Sequence, residues 1–273
     1  MNYQLENDCL RVAVNSLGAE LWNLHNKTSD QPLLWQGDPE YWPRRSPILF
    51  PVCGKRKCGD LPLHGFIRDY QHTLVEQTPD RLTFVCRQND ETLALYPYRF
   101  SFYTTYQLEG SSLHCTLRIV NDGPEVMPFS VGFHSGFMAN DSSRLVFARP
   151  EYCDRLLTDE DGLLLTVEPG FLSAGQELPL TTPLFPDMVL LKSLVSQQVE
   201  LVTDNRPVLR LDFAGFPYLV VWVNKQPVRF VCIEPWYDLP DPQNPPAAFA
   251  HKPGLCQLPG GQAFLCTQTI TAL

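Results

Sequence analysis

A glutamate at the end of an apolar stretch is the residue of this sequence best suited to acid–base chemistry. Glu234 lies in the sequence CIEPW at residues 232–236. In an extended strand, residues two apart share a face, so Glu234 shares its face with Val228, Phe230 and Cys232. Desolvation on such a face disfavours the charged carboxylate and raises its pKa toward that of a general acid or base at neutral pH. The alternative interpretation is an exposed glutamate in a turn made by the proline that follows it.

A histidine among small residues is the second candidate. His134 lies in the stretch 127–137, MPFSVGFHSGF. If this stretch is a strand, its large apolar residues share one face, and His134 shares the other face with Gly132 and Gly136. Glycine inside a strand often marks the close approach of a ligand. The alternative is a surface histidine whose glycine neighbours serve packing.

A second histidine and an arginine lie four residues apart in a turn-like segment. His64 precedes Gly65, which permits backbone conformations that other residues avoid, and Arg68 follows. Both side chains could meet a polyhydroxylated ligand. The alternative is that Arg68 pairs with Asp60 or Asp69 and that His64 is an ordinary loop residue.

Two further segments carry candidate ligand-binding residues. Residues 41–51 combine aromatic residues and prolines with Arg44 and Arg45. An arginine side chain offers a fork of donors to hydroxyls, carboxylates or phosphates, and Trp42 could stack on a sugar face. Asp187 is an acid between apolar residues, and its alternative role is a turn or cap residue at the start of a strand.

Composition excludes some classes of partner. The 273 residues carry a net charge of −9, which argues against nucleic acid because phosphate binding needs a basic surface. A neutral or weakly charged small molecule fits better. The longest apolar stretches, such as 219–223, fall far short of the roughly 20 residues that span a bilayer. The first residues are acidic and do not resemble a secretory signal, so we expect a cytoplasmic protein.

The cysteines predict neither a disulfide framework nor a metal site. Nine cysteines in a long chain without an export signal are expected to remain reduced thiols. Cys53 and Cys58 are closely spaced, but no second pair of cysteine or histidine residues completes a tetrahedral zinc site.

Alternation with a period of two predicts an all-β protein. Residues 100–108 and 113–119 alternate apolar and polar positions on either side of a turn, as expected of an antiparallel hairpin. Twenty-five scattered prolines would interrupt long helices. A β-protein of this length either stacks large sheets or closes a barrel, and the pattern alone leaves both open. No stretch reads as a linker, so residues 1–273 are predicted to form one domain.

Taken in order, four segments resemble the aldose 1-epimerase (galactose mutarotase) superfamily, most closely its LacX-like branch. They are residues 42–51, 64–69, 132–134 and 233–236. The resemblance extends over essentially the whole chain. It implies a single large antiparallel β-sandwich, the galactose mutarotase-like supersandwich, with the sugar in a cleft on one sheet.

The resemblance also implies roles for the candidate residues. Glu234 matches the general base, His134 the general acid and His64 a second active-site histidine. Asp187 matches the acid that contacts sugar hydroxyls, and Arg44 matches a sugar-binding arginine, with Arg45 as a close competitor. The remaining substrate-binding candidates are Arg68 and Trp236.

In the family mechanism, the glutamate takes the proton from the C1 hydroxyl while the histidine protonates the ring oxygen. The ring opens, the C1–C2 bond rotates, and closure from the other face gives the opposite anomer. This chemistry requires no cofactor and no metal. The serine that follows His134, where many family members have proline, leaves substrate preference open. A hexose 6-phosphate remains an alternative substrate, a non-catalytic sugar-binding protein remains an alternative function, and monomer and homodimer both remain open.

Overall fold

The computed structural model describes residues 1–181, 183–185 and 188–273. The all-β prediction is confirmed, because strands dominate these residues and every pairing between named strands is antiparallel. One short helix, α1 (Asp90–Leu95), and two single turns of 3-10 helix (Ile67–Asp69 and Phe249–His251) complete the regular elements of the described chain.

The described residues form twenty-one strands. In chain order they are β1 (Asn2–Glu6), β2 (Leu10–Asn15), β3 (Glu20–Asn26), β4 (Gln31–Pro32), β5 (Ile48–Leu49), β6 (Thr73–Gln77), β7 (Arg81–Arg87), β8 (Phe100–Glu109), β9 (Ser112–Asn121), β10 (Met127–Phe129), β11 (Gly132–Phe133), β12 (Ser135–Met138), β13 (Arg144–Thr158), β14 (Leu164–Pro179), β15 (Met188–Lys192), β16 (Gln198–Thr203), β17 (Arg206–Asp212), β18 (Tyr218–Trp222), β19 (Phe230–Trp236), β20 (Cys256–Leu258) and β21 (Ala263–Ala272).

Three sheets contain these strands. In the largest sheet the strand order is β5-β11-β19-β18-β15-β13-β16-β17-β21-β9-β8-β7-β6, with β12 paired to β19 and β14 paired to β13. A four-stranded sheet has the order β1-β2-β3-β4, and β10 pairs with β20. Distant parts of the large sheet, represented by Phe84, Leu201 and Ile233, contribute to the same apolar core. The sheet therefore packs against itself as a β-sandwich, which resolves the choice that the sequence pattern left open.

The predicted hairpin is present as β8 and β9. Its apolar positions, including Phe102 and Leu117, are buried, and the intervening positions are more exposed. The same alternation in the middle of the large sheet creates two different faces. Val221 and Ile233 point into the main core, whereas Val220 and Glu234 occupy the opposite face. That second face of β15, β18 and β19 forms the floor of a cleft.

The segment from 238 to 254, which follows β19, is mostly irregular, as its prolines predict. It is fixed by a buried network of charged side chains. The Lys252 ammonium contacts the carboxylate of Asp238 and lies 3.6 Å from that of Asp241, and Arg56 lies 3.4 Å from the same Asp241 carboxylate. All four side chains are buried. The segment is thereby anchored to the loop at residues 54–58.

Candidate active site

His134, the single residue between β11 and β12, faces Glu234 on the neighbouring strand β19. Gly132 pairs with Trp236 and Ser135 pairs with Ile233, so the register continues unbroken and places His134 opposite Glu234. The His134 Nε2 atom lies 3.4 Å from Glu234 Oε2. Opposed positions of an antiparallel pair bring side chains into contact, which is why the two residues meet although 100 positions separate them in the chain.

The surroundings predicted for Glu234 and His134 are only partly confirmed. Phe230 and Cys232 share the face of Glu234, but Val228 lies before the strand begins and packs in the main core. His134 is not a surface residue, since it is only 8% exposed. Its glycine neighbours make room for protein rather than for ligand, because a Cβ at Gly132 would lie 2.8 Å from the Trp236 ring.

Burial governs the protonation of the pair. Desolvation raises the pKa of Glu234 well above its usual range, and the nearby Trp236 indole opposes this shift in part. Desolvation, followed by the positive charge of Arg68, lowers the pKa of His134 to about 3. A lone carboxylate or a lone imidazolium is therefore disfavoured at neutral pH, and the pair holds one proton between its two members.

His64 is a neutral hydrogen-bond donor beside this pair. The backbone N–H of Gly54 donates to His64 Nδ1 over 3.1 Å, so the ring proton must lie on Nε2. Burial, followed by the charges of His134 and Arg68, lowers the pKa of His64 well below its usual value. The ring centroids of His64 and His134 are 5.3 Å apart.

The backbone around His64 depends on two close approaches. Its φ of +65° lies in the left-handed region, and its own N–H donates to the Gly54 carbonyl over 3.0 Å. A Cβ at Gly65 would lie 2.1 Å from the Phe50 carbonyl oxygen, and a Cβ at Gly54 would lie 2.6 Å from Pro240. Pro240 belongs to the segment that Lys252 anchors, so the buried charge network supports the loop that fixes the His64 tautomer.

Of the two candidate arginines, only Arg44 lines the cleft. Its guanidinium binds Asp69. The Arg45 side chain turns away, because its Nη1 donates to the Trp22 carbonyl over 2.6 Å and its guanidinium lies 4.2 Å from the Trp22 ring centre. A residue that the sequence analysis missed holds this loop: the buried Glu20 carboxylate accepts the backbone N–H of Arg45 over 2.8 Å.

Arg68 also lines the cleft. Its Nη2 donates to the Leu63 carbonyl over 2.7 Å, and its Nε is buried without a hydrogen-bond partner among the described residues. The predicted pairing with Asp69 is present at 3.7 Å but does not draw the side chain out of the cleft.

Aromatic rings form the walls of the site. Trp42 stacks on the His134 imidazole, with ring centres 4.9 Å apart and 23° between the planes. Trp222 meets the same imidazole edge-on at 5.9 Å, and Trp236 approaches His64 at 5.5 Å. The cleft therefore combines aromatic walls with a polar floor, which suits a ligand that carries both apolar surfaces and hydroxyl groups.

The cleft has a volume of about 540 Å³. All of the predicted site residues apart from Arg45 and Asp187 line it, and Asp187 lies outside the described residues. The sequence analysis missed Trp222, Met188 and the tip of the β13–β14 hairpin, which brings Asp159 and Glu160 to the rim. Of these, only Trp222 carried a signal in the sequence, as an aromatic residue in the apolar stretch at 219–223.

One group of metal-ligating side chains lies in this region. His134, Cys232 and Glu234 place one donor atom each within 4.8 Å of the others, and all three residues are buried. Cys53 and Cys58, the spacing noted in the sequence, belong to no such group among the described residues. No helix of the described chain is long and apolar enough to cross a membrane.

The fold and the cleft together define an antiparallel β-sandwich whose central sheet carries a buried carboxyl–imidazole pair. The sequence profile of the family described as aldose 1-epimerase matches residues 1–254. The chain is also 32% identical over 265 residues to the chromosomal protein LacX of Lactococcus lactis subsp. lactis, with 88% of each protein covered. The chain therefore belongs to the aldose 1-epimerase family.

Solved structures agree with this assignment. A galactose mutarotase related enzyme from Lactobacillus acidophilus superposes with a TM-score of 0.92 at 26% identity, covering 100% of this chain and 97% of the other. A galactose mutarotase-like protein from Lactobacillus casei gives a TM-score of 0.92 at 27% identity and covers 100% of both chains. The galactose mutarotase-like sandwich predicted from the sequence is confirmed.

Proposed function

We propose that this protein is an aldose 1-epimerase that interconverts the α and β anomers of a free hexose. The observation that carries the proposal is the distance of 3.4 Å between His134 Nε2 and Glu234 Oε2, an imidazole and a carboxyl at the floor of a sugar-sized cleft. Ring opening needs one group that accepts a proton and one that donates it, and this pair supplies both.

Each step leaves the pair with one proton. In the reactive form the proton lies on His134, and Glu234 is ionised. Glu234 accepts the proton of the C1 hydroxyl, the C1–O5 bond breaks, and the ring oxygen takes the proton of His134. The open-chain aldehyde then faces a protonated Glu234 and a neutral His134, which is the form that burial favours. After rotation about C1–C2, the same transfers run backwards and give the other anomer.

The neighbouring residues have binding roles in this proposal. The neutral His64 donates from Nε2 to a sugar oxygen, because Gly54 already occupies Nδ1. Arg44 and Arg68 offer donors to hydroxyl groups along one wall. Trp42 holds the His134 ring by stacking and so fixes the direction of the acid. Asp187 remains a proposed contact to sugar hydroxyls.

A hexose 6-phosphate is the second candidate substrate. The observation in its favour is that two arginines line the cleft and that Arg68 Nε has no hydrogen-bond partner among the described residues, although the Asp69 carboxylate lies 3.7 Å away. Asp159 and Glu160 line the same cleft and would repel a phosphate. The balance of charge therefore favours a free sugar.

Polarimetry of freshly dissolved sugars tests the proposal. Purified protein should accelerate the change in optical rotation of α-D-glucose or α-D-galactose more than that of a hexose 6-phosphate. The Glu234→Gln variant, purified in the same way, controls for a contaminating epimerase of the expression host. Faster equilibration of the phosphate alone would establish the second candidate. If no sugar responds while titration shows sugar binding, the protein is a binding module and not an epimerase.

A further inference from the structure

Three side chains with metal-binding chemistry converge on the cleft floor. Cys232 and Glu234 lie two residues apart on the same face of β19, and His134 lies opposite Glu234 between β11 and β12, which both pair with β19. The imidazole nitrogen, the thiol sulfur and a carboxylate oxygen lie within 4.8 Å of one another. Nothing in the acid–base mechanism uses the thiol, which packs in a small apolar cluster with Trp35 and Phe230 and lies beside the catalytic candidates.

The arrangement fits a tetrahedral metal ion. Zinc binds nitrogen and oxygen at about 2.0–2.2 Å and sulfur at about 2.3 Å, which separates neighbouring donors by about 3.3–3.7 Å. The His134 and Glu234 donors are already 3.4 Å apart. The remaining separations are at most 4.8 Å, so side-chain rotation must shorten them by up to about 1.5 Å to reach this range. Cys232 and Glu234 are held on β19, and His134 lies between two short strands that pair with β19, so the set is more rigid than one on loops.

The polar groups at this point lack partners. Glu234 is 1% exposed, and its Oε2 has no hydrogen-bond partner among the described residues. A divalent ion would satisfy this oxygen. The thiolate and the carboxylate together balance two positive charges, so the occupied site is neutral and suits a buried position. Two of the ligand residues, His134 and Glu234, line the cleft, which leaves the fourth coordination position open to water.

We propose that His134, Cys232 and Glu234 form an inhibitory site for a borderline-soft divalent metal ion such as Zn²⁺. The bound ion occupies the carboxylate oxygen and the imidazole nitrogen that the acid–base reaction needs. Metal binding stands on the geometry alone, whereas the inhibition rests on the proposed epimerase function. Hard ions such as Mg²⁺ do not bind, because they prefer oxygen donors.

Binding is tested first, without reference to activity. Metal-free protein is titrated with Co²⁺, which takes the same tetrahedral donors and absorbs in the near ultraviolet when bound to a thiolate. We expect a saturable band of one equivalent that Zn²⁺ displaces. Cys232→Ser and Cys232→Ala should abolish the band, and Cys58→Ser, which changes a half-exposed cysteine outside the cluster, should retain it. An absent band, or a band that persists in both Cys232 variants, would overturn the proposal.

Inhibition is then measured in the polarimetric assay. Zn²⁺ should slow the wild-type protein and Cys58→Ser equally, and EDTA should restore the rate. Both Cys232 variants should keep the metal-free rate and need at least about tenfold more Zn²⁺ for half inhibition. Equal sensitivity of all variants would contradict the role of the thiol. A thiolate band in a protein that accelerates no sugar would refute the proposed epimerase function and leave the metal site intact.

Discussion

Two buried clusters of ionisable side chains lie close together in this protein, and they are built in opposite ways. The network of Lys252, Asp238, Asp241 and Arg56 has formal charges that cancel, and it leaves no buried side-chain nitrogen or oxygen without a partner among the described residues. At the cleft floor, by contrast, Glu234 Oε2, His134 Nδ1 and Trp236 Nε1 are buried without hydrogen-bond partners.

This difference fits a structural role for the first cluster and, in the proposed function, a ligand-binding role for the second. In a satisfied network, the ion pairs and hydrogen bonds offset the free-energy cost of burying the charges. They also rigidify the segment that carries the network. Orphaned buried polar atoms cost stability, and each one in a native protein calls for an explanation such as a catalytic role or a bound water or ion. The two clusters are joined through Pro240 and Gly54, so the satisfied cluster positions His64 beside the unsatisfied one.

Removing the imidazole should have the largest effect, and it should act on turnover. In the proposed mechanism His134 donates the proton to the ring oxygen, so we expect His134→Asn to lower kcat by about 10²–10⁴-fold. Sugar affinity, measured by titration calorimetry, should change much less. An increase in KM with an unchanged kcat would show instead that His134 positions the substrate.

Breaking the satisfied cluster should act on stability. Lys252→Met leaves two carboxylates buried beside a single arginine, and we expect the free energy of unfolding to fall by about 3–5 kcal/mol in denaturant titration. The loss in kcat should be smaller than for His134→Asn. If the reverse held, with Lys252→Met sparing stability and His134→Asn unfolding the protein, the contrast between the clusters would be wrong.

Substitutions of the two adjacent arginines test which of them belongs to the site. Arg44→Met removes a charged donor from the cleft and should raise KM about tenfold or more, in line with the worth of a hydrogen bond to a charged group. Arg45→Met is the matched control. It removes the contacts to Trp22 and should lower the melting temperature while KM stays unchanged. Equal effects of both substitutions on KM would place Arg45 in the site.

The smallest expected effect is that of pH. The reactive pair must hold one proton, and a second proton is added only below the lowered His134 pKa of about 3. In metal-free buffer, kcat/KM should therefore stay nearly constant between about pH 7 and 5, where an ordinary histidine with a pKa of about 6.5 gains its proton. Arg68→Met removes one cause of the lowered His134 pKa, so the acid side of the kcat/KM profile should move to higher pH. If kcat/KM of the wild-type protein fell with a midpoint near pH 6.5, the assignment of one proton to the His134–Glu234 pair would be contradicted.

Some of this was visible in the sequence. Alternation predicted the all-β fold, because the burial of one sheet face repeats every two residues. The resemblance brought Glu234, His134, His64 and Arg44 together, and the structure places all four in one cleft. That residues 1–273 form a single domain, and the role of Asp187, stay predictions.

Other features depend on contacts that no local pattern encodes. Arg44 and Arg45 are equivalent in sequence, and the distant Glu20 and Trp22 decide which of them enters the cleft. The pairing of Lys252 with Asp238 and Asp241 arises only when an irregular segment folds back on the loop at 54–58. The alternation near β19 also misassigned Val228, because the strand begins two residues later at Phe230.

The most direct test is the mutarotation of freshly dissolved α-D-glucose and α-D-galactose, followed by polarimetry with the wild-type protein, Glu234→Gln and Glu125→Gln. Glu125 is exposed and provides a matched control for the loss of one carboxylate. We predict that the wild-type protein and Glu125→Gln accelerate at least one sugar equally, and that Glu234→Gln is about 10²–10⁴-fold slower with its fold intact. Full activity of Glu234→Gln, or no acceleration by the wild-type protein, would contradict the assignment of the buried pair as the acid–base machinery of an aldose 1-epimerase.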